Sequence, residues 1–259
     1  MNDLRKILRE QRAKHRMTQQ KCGAAIKVSG SLIAQIETGR LIPQDDTAQA
    51  LDDLFGTGDE IQRATAEARD DARPTWLRPW TDLERQATLL RTWEPNLIPG
   101  LLQTEAYTRL VCAGGRLSVK ATENTIQVRR DRQAATVGRP EDPPMLSAVI
   151  GEAALRCGPP DVLKEQLQHL LDASHLPHVQ ILVLPSSAGI HAGLAGAFVL
   201  ATLAGRGRAG YADDQLRGRV VTEGADLDRL ELAWEIVTGL ALPVQQSRDL
   251  IMKAINDHD

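Results

Sequence analysis

Four times within its first 56 residues the chain opens and closes a short amphipathic helix, and a segment punctuated so often can form neither a long coiled coil nor a sheet. Leu4, Ile7 and Leu8 stand at i, i+3, i+4, with basic residues on the other face. Thr18 is a good N-cap, and Cys22, Ala25 and Ile26 repeat the apolar spacing. After a tight break at Lys27-Val28, Ser29 is a second N-cap and Ile33 and Ile36 form the next apolar stripe. That helix stops at Gly39, a C′ residue suited to the left-handed conformation, with Pro43 beyond it. A fourth helix is expected over about 46–55, ended by Gly56, and a fifth over about 59–69.

Charge divides the chain in the same place. Residues 1–43 carry nine Lys/Arg against three acids, a net of +6, and residues 44–71 reverse this to −7. The whole chain of 259 residues has a net charge of only −3, so a polyanion would be bound by the basic head and not by bulk charge. At roughly 100–200 residues per domain the length predicts two domains. We expect a head at 1–69, a linker at 70–80 rich in proline and tryptophan, and a larger domain at 81–259. Cys22, Cys112 and Cys157 are odd in number and hold no CxxC pair, which excludes a disulfide framework and suits a reducing compartment. There is no secretory h-region and no run of about 18 apolar residues, so a cytoplasmic protein is expected.

Two short helices joined by a turn of about three residues, inside a five-helix bundle, make a helix-turn-helix. Met17-Thr18-Gln19-Gln20 and Ile36-Glu37-Thr38-Gly39-Arg40 with Pro43 resemble the XRE, or Cro and phage-repressor, family over residues 1 to about 56. Two positions depart from it. Gly23 stands where an alanine is usual, at a cost of up to ~1 kcal/mol in a helix, and Lys27 replaces the usual turn glycine. With Ile33 and Ile36 turned inward, Ser31, Ala34, Gln35 and Thr38 point the other way and are the expected base readers. Gln35 suits adenine N6 and N7, and Ala34 suits a thymine methyl. Gly30 sits where the family often has a polar base-reading residue, so one specific contact is expected to be missing. Arg5, Arg16, Thr18, Gln19, Lys21 and Arg40 are the expected phosphate contacts, which position without specifying sequence.

The remainder predicts an α+β domain with a small sheet. Helices are expected at 81–92, 103–113, 121–137, 161–173, 226–240 and 244–257. Strands are expected at 145–150, 179–184 and 197–203, with weaker ones at 209–212 and 219–222. Trp76, Trp80 and Trp93 are expected as core or interface anchors. Trp93-Glu94-Pro95-Asn96-Leu97-Ile98-Pro99-Gly100-Leu101-Leu102-Gln103-Thr104 with Tyr107 resembles the opening signature of the Scr-type effector domain of actinobacterial, toxin–antitoxin-like regulators. Arg129 to Gln133, Glu152 to Arg156, Glu165-Gln166-Leu167 and the stretch from Leu184-Pro185 to Gly193 follow it in order. The resemblance implies a transcriptional regulator with a small companion protein as partner. From the residues alone, Pro99-Gly100 reads as a turn and Thr104 as a cap for the helix bearing Tyr107.

No constellation supports catalysis, so no enzymatic role and no cofactor are expected. Gly205-Arg206-Gly207-Arg208-Ala209-Gly210 fits G-x-G-x-x-G, but more strand follows and no helix opens there, so it reads as a hairpin loop with its arginines in solvent. His169, His175 and His178 straddle a helix end with no cysteine nearby, which argues against a metal. Ser186, Ser187 and His191 read as a capped loop, and Glu152 as a carboxylate offsetting a helix dipole. The cysteines read as small buried residues. The expectation is a homodimeric, sequence-specific DNA-binding regulator acting on double-stranded operator DNA. The alternative is an antitoxin-like module that mainly sequesters a partner, with DNA autoregulation secondary.

Overall fold

A computed structural model describes residues 4–72, 77–205, 207–213, 218–222 and 224–257. The chain divides into two compact units, Met1–Thr75 with Ser118–Asn124, and Trp76–Leu117 with Thr125–Asp259. Among the described residues no helix is long and apolar enough to cross a membrane.

The first unit holds α1 (Leu4–Lys14), α2 (Gln19–Ala25), α3 (Gly30–Glu37), α4 (Asp45–Phe55) and α5 (Glu60–Ala72). Leu4, Ile7, Leu8, Cys22, Ile33, Ile36, Leu51, Phe55 and Ile61 form its core. Ala25, expected in the apolar stripe of α2, is exposed, and Gly23 is buried in its place. The first three helices end alike. The amide two residues past each C-cap returns to the carbonyl of the third-last helical residue: Met17 to Arg12, Val28 to Gly23, Arg40 to Gln35. The left-handed residue is Arg16, then Lys27, then Gly39. Thr18 and Ser29 cap as expected, accepting from the amides of Lys21 and Leu32 at 3.1 Å each.

The second unit is α+β, and its sheet is larger than expected. It comprises α6 (Arg78–Gln86), β1 (Ala87–Glu94), α7 (Glu105–Gly114), α8 (Val119–Ala135, from Thr125 onward), β2 (Met145–Gly151), α9 (Pro160–Ala173), β3 (Val179–Leu184), β4 (Phe198–Leu203), β5 (Arg208–Ala212), β6 (Arg219–Val221), α10 (Gly224–Leu240) and α11 (Val244–Asn256). Its six strands run in the order β3-β2-β1-β4-β5-β6. The β3-β2-β1 ladders are parallel and the rest antiparallel. The helix expected at 81–92 is half wrong. It ends at Gln86, and Ala87–Glu94 is a strand inside the sheet. Helix-favouring Ala, Leu and Arg disguise that strand, whose pairing on both sides overrides propensity. Within the expected linker 70–80, α6 already begins at Arg78.

Alternation along the strands explains the two-faced core. Leu146, Ala148 and Ile150 of β2 face one way, with Ile181, Val183, Trp80, Tyr107, Leu163, Leu167 and Ile251. Val149 faces the other way, with Trp93, Leu182, Leu184, Phe198, Leu200, Trp234 and Val237. Burial on both faces is why β2 and β3 read as nearly unbroken apolar runs. Trp80 and Trp93 are core anchors, both at most 1% exposed. Trp76 lies outside the described residues.

Candidate nucleic-acid interface and the clamp of the second unit

The interface is built on Glu37, a carboxylate 3% exposed at the last turn of α3. Arg12 of α1 grips it with two nitrogens, at 2.6 and 3.2 Å. Gln19 of α2 donates to it at 2.7 Å, and Arg9 caps its backbone carbonyl. Burial pushes this carboxyl up, but the hydrogen bonds from Arg12 and Gln19 and the charge of Arg9 outweigh that and hold it below its ordinary value. One side chain thus ties α1, α2 and α3 together. Glu37 carries the family resemblance, yet nothing in its spacing shows that it faces inward. Asp52 does a similar task for α5: it accepts from the amides of Ile61 and Gln62 at 2.9 Å each and from the hydroxyl of Thr57.

Locked in this way, α3 presents an exposed stripe of Ser31, Gln35 and Thr38, with Ala34 half-buried beside it. Gln35 donates to the Ser31 hydroxyl at 3.3 Å, and Thr38 donates back to the carbonyls of Ala34 and Gln35. Arg5, Arg16, Lys21 and Arg40 are exposed. Gln19 is half-buried and directs one amide hydrogen at Glu37, which leaves its second amide hydrogen unassigned by that bond. The expected gap at Gly30 has a structural cause: a Cβ there would come within 2.9 Å of the Gln20 Cα, so the position faces α2. Gly23 is explained too, since a Cβ would lie 2.8 Å from the Val28 carbonyl oxygen in the turn.

In the second unit three of the segments singled out in the sequence, 93–104, 129–133 and 165–167, meet around the turn at residues 100–104. Thr104 caps α7, accepting from the amide of Tyr107 at 3.2 Å. Buried Gln166 accepts from the Thr104 amide at 2.7 Å and donates to the Leu102 carbonyl at 2.8 Å. Gln133 donates to the carbonyls of Gly100 and Gln103, and Arg129 donates to the Gln103 side chain. Arg132 pairs with buried Glu84 through two contacts of 2.8 Å, and Trp80 donates to the same carboxylate at 3.2 Å. These residues hold loop and helix to the sheet. Glu94, at the end of β1, is pushed up to about 8 by burial and by the charge of Asp213, against the pull of Arg129.

The remaining expectations resolve individually. Gly205–Gly210 spans the connection from β4 into β5, where the Leu203 amide donates to the Gly207 carbonyl at 2.8 Å. Arg208 is not loose in solvent but pairs with Glu231 of α10 at 3.1 Å, and Arg206 lies outside the described residues. Glu152 opens a 3-10 turn and accepts from the Ser186 amide at 2.9 Å, holding the loop of Ser186 and Ser187. His191 of that loop sits edge-on to Trp93. His175 and His178 hydrogen-bond to the carbonyls of Leu171 and Val137. Among the described residues no three His, Cys, Asp or Glu gather as a metal site. Cys22 and Cys112 are buried, but Cys157 is exposed, unlike the expected core residue.

Comparison with known proteins agrees with this division. No curated protein and no solved structure matches the chain. Residues 3–66 match a helix-turn-helix domain, which makes the head that of a DNA-binding regulator. With residues 77–253 matching a domain of unknown function, DUF5753, over most of its length, the chain belongs to the DUF5753 family.

Proposed function

We propose that this protein is a sequence-specific transcriptional regulator of the XRE type, acting in the cytoplasm as a homodimer by binding and not by catalysis. Its second unit is read as a Scr-type effector domain that dimerises and takes its signal from a small companion protein. The observation that carries the reading is the exposed Ser31–Gln35–Thr38 stripe on a helix whose opposite face is locked by Ile33, Ile36 and Glu37. With its side chains a helix is about 10–12 Å across, which fits a major groove about 12 Å wide. A single stripe reaches few bases, so selectivity calls for two heads on half-sites about 34 Å apart.

The test is fluorescence anisotropy of the full chain on its own upstream DNA and on random duplex, with the wild type and Gln35→Ala. The variant is expected to lose about 1–3 kcal/mol on the upstream DNA and little on the random one. Equal losses on both would remove Gln35 from the base readers. Absence of selectivity in the wild type would overturn the regulator reading.

A further inference from the structure

A second feature of the head lies at the C-terminal end of α3. Here a concavity of about 510 Å³ is lined by Arg5, Lys6, Arg9, Glu10 and Thr38, three cations against one carboxylate. Two of the cations are tied to the helix end. Arg9 donates to the Glu37 carbonyl, and the stem of Arg5 lies across Gly39, so closely that a Cβ there would come within 2.9 Å of its Cδ. Lys6 is 74% exposed, and among the described residues its ion-pair partner is Glu10, 3.8 Å away and itself exposed. A pair of that kind contributes little, so the ammonium can turn to another anion at small cost.

Thr38 belongs to both surfaces. It ends the exposed stripe of α3 and forms one wall of the cleft. A major groove is bounded on both sides by sugar-phosphate backbones, and side chains that flank a helix seated in it reach those phosphates. At the other end of α3, Gly30 lies against Gln20 of α2, which brings the amino-terminal turns of the two helices together. The partial negative charge at the carboxyl end of α3, about half a unit, offsets only part of the three cations.

We propose that this cleft holds a backbone phosphate of the duplex that α3 enters. Lys6 and Arg5 are the direct cations, and Arg9 is a positioning residue that fixes the cleft to the end of α3. Lys6 and Arg9 add to the phosphate contacts expected from sequence. The inference rests on reading the head as DNA-binding, and its test separates the two.

The full chain is titrated with salt on a short random-sequence duplex, comparing the wild type, Lys6→Gln, Lys6→Glu and, in the second unit, Lys253→Gln. Lys6 is a surface side chain, so unchanged circular dichroism is expected for its variants. Lys6→Gln should lower the slope of log K against log salt by about 0.9. It should weaken random and upstream DNA by the same factor, with Lys6→Glu weaker still and Lys253→Gln unchanged. Salt-dependent binding by the wild type with an unaltered slope in both Lys6 variants would overturn the cleft and leave the DNA-binding reading standing. An equal drop for Lys253→Gln would also overturn it, by showing a bulk charge effect. No binding by the wild type would overturn both.

Discussion

Two carboxyls, one in each unit, titrate in opposite senses because of what surrounds them. Glu37 is held below its ordinary value by Arg12 and Gln19, against the push of burial. Its contribution to stability is therefore complete above the unfolded carboxyl range and is lost as pH falls through the folded value. Replacing it by Gln leaves Arg12 without its counter-charge. We expect a loss of about 2–3 kcal/mol in the stability of the head near neutral pH, shrinking as the pH is lowered, in urea melts followed across the acid range. Glu94 behaves in reverse. Burial and Asp213 raise it from 4.5 to about 8, so the folded chain holds a proton that the unfolded chain has released. Stability declines as pH rises across that interval. Glu94→Gln should raise the melting temperature at about pH 9 and change it little at about pH 5. A shift of the same size at both would mean that Glu94 is not protonated in the fold. Neither environment was legible in the sequence. Both carboxyls were quoted there as motif residues, but burial and partners come from other segments.

At the scale of elements, capping was the most readable layer, because a cap is a local event of four residues. Thr18, Ser29 and Thr104 all cap as their sequence context indicates. Stops were less readable. Gly39 announces one, whereas Arg16 and Lys27 occupy the same left-handed position with side chains that ordinarily avoid it. Lys27→Gly should therefore stabilise the head by about 0.5–1 kcal/mol, the relief of a left-handed backbone exceeding the added freedom of the unfolded chain. Thermal melts of the full chain at neutral pH would check this, and a lower melting temperature would refute it. The misread element is β1, whose residues favour a helix and whose strand form depends on β2 and β4. The edge strand β3 shows the same dependence on distant segments. On β3, the Val183 amide donates to the Ser247 hydroxyl and its carbonyl accepts from the Leu242 amide, which blocks further strand pairing there.

Across the whole molecule, the basic and acidic segments of residues 1–71 both belong to the first unit, which also takes in Ser118–Asn124. A homodimer built through the second unit is expected to run at twice the chain mass in light scattering, and to need both heads for tight operator binding. Monomeric mass at the concentrations where selective binding saturates would remove that expectation. The sequence by itself determined the helix-turn-helix, its caps, the inward direction of Ile33 and Ile36 and so the outward stripe of Ser31, Gln35 and Thr38, because all of these follow from spacing and short-range chemistry. Only the tertiary structure decided that Glu37 binds three helices, that Gln19 donates to it, that Lys6 and Arg9 join Arg5 in one cleft, and that residues 87–94 are a strand. Each of those depends on groups far apart in the chain meeting at hydrogen-bond or van der Waals distance, and periodicity within a single segment carries no record of such a meeting.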